Sequence, residues 1–162
     1  MRGRIKPLTL AGAFCAFLFL ALSPGFASAA ALPVSTLTVT GTGGRSTAFS
    51  VEVAASSKTR ETGLMNRTSL PDGTGMIFIF PAVRPVMMWM KDTLLPLDML
   101  FIDARGRIVN IAENTKPMDE TIIGSGGHVA YVLEIAGGAS KRLGIVTGDT
   151  VAGPALAFKA RD

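Results

Sequence analysis

The 162-residue chain has one cysteine, one histidine, one tryptophan and one tyrosine, and its Lys and Arg residues outnumber its acids only sixteen to twelve. Each shortage removes a class of chemistry. The lone Cys15 lies inside an apolar run, Leu8 to Leu22, so residues 30–162 hold no thiol, no disulfide and no cysteine metal ligand. One histidine, His128, cannot supply the histidine pair of a zinc site. The run itself is 15 residues long, short of the roughly 20 that cross a bilayer core, so no membrane span is expected. No Gly-x-Ser-x-Gly elbow and no glycine-rich phosphate loop ending in Lys-Ser/Thr occurs, and nothing in the chain calls for a cofactor.

Arg2, Arg4 and Lys6 precede the apolar run, and Pro24-Gly25 and then Ala27-Ser28-Ala29 follow it. This is the three-part layout of a cleavable secretory signal peptide over residues 1–29, which predicts an exported domain, periplasmic or secreted, over residues 30–162. A lipid-anchored protein would carry its cysteine at the cleavage point, and Cys15 is well upstream of it. Loss of the leader removes three basic residues and no acid, leaving thirteen against twelve and a net charge of +1. Dispersed, near-neutral charge offers no basic stripe, so no nucleic-acid partner is expected.

From Ser35 onward, short extended segments alternate with Gly, Pro and Asp, the punctuation of a β architecture. Ser35 to Thr40 and Thr47 to Val53 alternate polar with apolar around the Gly41 to Arg45 turn and predict a hairpin with one wet side. Ser56 can cap a short helix running to about Met65. Met76 to Phe80, Val86 to Met90 and Leu97 to Ile102 are apolar on both faces and are expected as three central strands, the first two separated by Pro81 to Pro85. Asp103-Ala104-Arg105-Gly106 fits a tight turn into a return strand, Arg107 to Glu113. Asn114 to Gly127 reads as a long connection, Val129 to Ile135 as a strand, Gly137 to Ile145 as a helical turn, and the tail from about Gly153 as frayed. The expectation is a mainly β protein: a single compact β-sandwich or barrel-like domain with one or two short helices.

Gly63-Leu64-Met65-Asn66-Arg67, Gly75-Met76-Ile77-Phe78, Trp89-Met90-Lys91-Asp92-Thr93, Pro96-Leu97-Asp98, Phe101-Ile102-Asp103, Leu133-Glu134-Ile135-Ala136-Gly137 and Gly148-Asp149 occur in that order. Together they resemble the family called "domain of unknown function 192", from about Phe49 to Val151. The resemblance implies a compact, mostly β fold with a sandwich or barrel core, common in bacteria and archaea and often exported. It supplies no activity.

The residues themselves suggest three functions. The first is a cell-envelope binding module for a small polar ligand such as a sugar. Trp89, beside Lys91, Asp92 and Thr93, would floor a shallow pocket, with Asp98 near it and Arg60 and Arg67 placed to meet an anion. Against this, Trp89 as a core residue and the two arginines as solvated surface groups are the plainer readings. The second is a hydrolase of envelope glycans working through a pair of carboxylates drawn from Asp98, Glu113 and Glu134. Asp98 and Glu134 both lie in strongly apolar segments, and a dry carboxylate needs a partner, Lys91, Arg60 or Arg67 for Asp98, or else a rise in pKa. A buried ion pair or a backbone cap pinning the Lys91 to Pro96 loop is the plainer account of Asp98, and solvent exposure is the simpler account of Glu113. The third is copper binding by the thioethers of Met88 and Met90 with His128, against which stands core packing by adaptable methionines.

Overall fold

The computed structural model describes residues 31–161, so the expected signal peptide and its Cys15 lie outside the described residues. The chain runs through β1 (Val34–Thr40), β2 (Ser46–Ala54), α1 (Ser57–Thr62), β3 (Thr74–Met88), β4 (Leu97–Ile102), β5 (Ile108–Ala112), β6 (Ile123–Ala136), α2 (Ala139–Leu143) and β7 (Thr150–Ala152). A 3-10 turn at Pro154–Ala157 follows. The seven strands form one sheet in the order β5-β4-β6-β3-β2-β1-β7. Only β2 and β3 pair in parallel, because α1 and its loop form the crossover between them.

The sheet curls until its two outermost strands meet. Ile108 N–H donates to Asp149 O at 2.9 Å, Gly148 N–H to Ile108 O at 2.8 Å and Val151 N–H to Gly106 O at 2.7 Å. Gly106 is required there twice over. Its φ of +83° is the left-handed region, and a Cβ would lie 2.3 Å from the Val151 carbonyl oxygen. The architecture is therefore barrel-like, as the alternation and turn signals predicted.

Alternation along each strand sends side chains to two separate cores. Phe49, Val51, Val53, Ile77, Leu100, Leu133 and Ile135 pack on the first face with the 3-10 turn and the residues around α2. Met76, Phe78, Leu97, Met99, Phe101 and Val132 pack on the second, where Leu64 from the exit of α1 joins them. The central strands are buried on both faces, which is why β4 reads as uninterrupted apolar sequence apart from Asp98.

Three expectations need correction. The segment Pro81 to Pro85 does not break the chain into two strands, since β3 runs 15 residues through it. The register with β6 jumps from Ile79↔Tyr131 to Arg84↔Val129, so four residues of β3 face one of β6 and Pro81 sits in a bulge where no ladder N–H is needed. The connection after Asn114 is shorter than expected, because β6 already begins at Ile123 and pairs Ile123 and Gly124 with Met88 and Met87. The tail is docked rather than frayed: Ala155 is buried, and Arg161 N–H donates to Ala55 O at 2.6 Å.

Candidate functional site

The second face carries a cleft of about 320 Å³. Its entrance is framed by α1, by the bulged part of β3 and by the loop from Trp89 to Thr93, and Glu134 lies at its floor. Ser56 starts α1 with a reciprocal cap, its hydroxyl accepting from Thr59 N–H while Thr59 Oγ1 accepts from Ser56 N–H. Gly63 ends the helix against the Phe78 ring, and Asn66 N–H, just beyond, donates to Asp92 O at 2.8 Å. That bond ties the helix exit to the Lys91-Asp92 turn, in which Asp92 takes a φ of +51°. Asp92 thus shapes the loop and does not line the cleft, whereas Trp89, Lys91 and Thr93 line it.

Trp89 is 41% exposed, so the core reading for it does not hold. Lys91 Nζ sits 5.5 Å from its ring centroid. Phe80, turned out by the β3 bulge, has Arg60 at 6.0 Å and Arg84 at 5.8 Å from its ring centre. Arg60 is held in place, donating to Ala55 O at 2.7 Å, to Ile79 O at 3.1 Å and to the Ser57 hydroxyl. Arg67 is not in the cleft; it pairs with Glu52 at 2.5 Å on the surface.

Glu134 occupies the middle of a row in which Met76 on β3 and Met99 on β4 are its direct neighbours across the sheet. Both methionines are fully buried and Glu134 itself is 4% exposed. Its carboxyl makes no hydrogen bond or ion pair among the described residues, and burial pushes its pKa up from 4.5 to about 8. Burial thus favours the protonated acid over the carboxylate. Gly75 makes this packing possible, since a Cβ there would lie 2.4 Å from the Glu134 carbonyl oxygen.

Asp98 does not join it. It points to the opposite face, where Oδ1 accepts from Asn114 N–H at 2.7 Å and Gly138 N–H at 2.8 Å, and Oδ2 from Ser140 N–H at 2.7 Å. It is a backbone cap, as one expectation had it, but it pins the Asn114 turn and the start of α2 rather than the Lys91 to Pro96 loop. Glu113 is exposed. The three acids considered for a hydrolase therefore do not converge, and only Glu134 lines the cleft. The copper set is dispersed too. Met88 lines the cleft, Met90 is buried with its Sδ accepting from the Thr115 hydroxyl, and exposed His128 pairs with Pro85, five residues along β6 from the Ile123 partner of Met88. Among the described residues no three His, Cys, Asp or Glu side chains cluster as metal ligands. Glu61, Phe78, Phe80 and Arg84 also line the cleft, and the sequence reading did not place them there.

The model of the DUF192 family, "Uncharacterized ACR", matches residues 38–153. The chain belongs to this family. Two solved structures are similar along nearly their whole length. One is a protein of Sinorhizobium meliloti 1021 provisionally named a transcription regulator, 45% identical, covering 77% of this chain and 97% of that one with a TM-score of 0.76. The other is a protein of unknown function from Novosphingobium aromaticivorans DSM 12444, 41% identical, covering 82% of this chain and 94% of that one with a TM-score of 0.74. No curated protein matches. Membership in the DUF192 family agrees with the order of motifs from Gly63 to Asp149.

Proposed function

We propose that this member of the DUF192 family is an exported binding module that holds a small ligand in the cleft between Trp89 and Glu134. The observation that carries the reading is the floor. A carboxyl group, buried and with no hydrogen-bond partner among the described residues, opens into a concavity lined by aromatic and cationic side chains, and a polar group at such a place takes its partner from water or from a ligand. Trp89 suits the flat face of a ring, a sugar among them. The acids proposed for paired-carboxylate hydrolysis do not face one cleft and the residues proposed for copper are dispersed, which leaves binding as the better supported role. The regulator name of the Sinorhizobium protein gains little support in this chain: among the described residues the α-helices are six and five residues long, too short to serve as a recognition helix, and residues 30–162 are nearly neutral. Among the described residues no helix is long and apolar enough to cross a membrane.

The test is native mass spectrometry of the full-length gene product recovered from the exported fraction, alongside Trp89→Ala. The expected result is a small organic molecule retained by the unaltered protein and lost from the variant, with thermal melting little changed. Trp89 is the only tryptophan, so intrinsic emission reports on this cleft alone and should shift when the molecule is removed. A ligand-free protein whose emission is indifferent to small-molecule extracts of the cell envelope would refute the reading.

A further inference from the structure

The geometry points to a ligand class: an apolar-bodied molecule, flat enough to lie between Trp89 and Phe80, with a neutral hydrogen-bond acceptor such as a carbonyl at its inner end and an anionic group such as a carboxylate at its outer end. This rests on the binding reading and narrows its ligand.

The inner end is dictated by the floor. Glu134 stands between Met76 and Met99 with no cation bonded to it among the described residues, so its carboxyl O–H is the polar feature it offers the cleft. A ligand carboxylate placed there would be a buried charge with no counter-ion, which is costly, whereas a carbonyl oxygen accepts the Glu134 O–H and satisfies both groups. A ligand ammonium is disfavoured for a different reason. The charged groups beside the rings are themselves cations, Arg60 and Arg84 by Phe80 and Lys91 by Trp89, and would repel it.

The outer end is dictated by the rim. The charged groups facing the cleft are Arg60 and Glu61 from α1, Arg84 from β3 and Lys91 from the loop after it, with Glu61 the one acid besides Glu134. Arg84 donates only to Pro85 O, at 3.4 Å, and neither it nor Lys91 has a carboxylate partner among the described residues. An anion at the mouth would pair with both. Between the ends, Leu64, Met65, Met87 and Met88 offer apolar, adaptable walls for the body of the molecule.

Isothermal titration of the full-length protein separates the elements with three probes of one shape: para-acetylbenzoate, para-ethylbenzoate, which lacks the acceptor, and para-acetylbenzylammonium, which inverts the charge. At about pH 6.5 the acetylbenzoate is expected to bind about tenfold tighter than either of the others. Glu134→Gln, whose amide still donates, should keep the acetyl-over-ethyl preference, and Glu134→Leu should abolish it while keeping the preference for carboxylate over ammonium. At about pH 9.5 the acetyl preference should vanish in the unaltered protein and persist in Glu134→Gln. Circular dichroism melts establish that both variants fold. Equal binding of acetyl and ethyl probes, a preference for the ammonium, or no binding of para-acetylbenzoate overturns the ligand class. The wider binding reading falls with it only if the exported protein also proves free of any retained molecule.

Discussion

Asp98 and Glu134 make a controlled pair. They sit on adjacent strands at neighbouring register positions, Asp98 opposite Ile135 and Glu134 opposite Met99, and both are buried. Their side chains leave the sheet on opposite faces, and there the likeness ends. Asp98 receives three backbone N–H donors, from the Asn114 turn and the start of α2, so its carboxyl is satisfied by the fold. Glu134 receives none among the described residues and faces a cavity. Burial of an acid therefore does not mark a site; an acid that burial leaves unsatisfied beside open space does.

The contrast is open to direct attack. Asp98→Ala should be the most damaging change, losing about 4 kcal/mol because three donors to a charged group are orphaned in a dry region; urea unfolding would show it, and a loss under about 1 kcal/mol would dissolve the distinction. The pH dependence assigned to Glu134 is next in size. In the folded protein it holds its proton up to about pH 8, against 4.5 when unfolded, so between these values the folded state binds more protons. Its contribution to stability is complete below pH 4.5 and falls as pH rises toward 8, by about 2 kcal/mol between pH 6 and pH 8. Denaturant melts across this range should show that slope in the unaltered protein and lack it in Glu134→Gln. Ser140→Ala is the smallest of the three. Its hydroxyl is buried without a partner, while the bond to Asp98 comes from its backbone N–H, so the change should be neutral or stabilising by up to about 1 kcal/mol. A clear loss on the same urea assay would mean that the side chain, not the backbone, serves the Asp98 cap.

Much of the fold could be read from local pattern. The β1–β2 hairpin follows from strict alternation, α1 from a serine placed to cap it, and the Asp103 to Gly106 turn from its glycine. What escaped depended on partners distant in sequence. Nothing near Pro81 and Pro85 announces that β6 will let four residues of β3 bulge out at that point, yet the bulge is what brings Phe80 and Arg84 to the cleft. The site was legible in part for the same reason. Trp89, Lys91 and Glu134 stand out individually as an aromatic, a cation and an acid in apolar company. That Glu134 shares a face with Phe78 while Asp98 does not requires the register of β6 between β3 and β4. Glu61 and Arg84 are ordinary surface residues until the crossover through α1 sets them around one opening.

The seam between Gly106, Ile108 and the segment from Gly148 to Val151 also bears on how the chain can fold. Contacts that unite the two edges of the sheet need the segment from Gly148 to Val151, which follows strands β1 to β6 along the sequence. Until that segment has been made, β5 and β1 are both left with an open edge. A product shortened before Thr150 would thus retain its hairpins and most of the cleft residues, yet present two sticky strand edges to its neighbours.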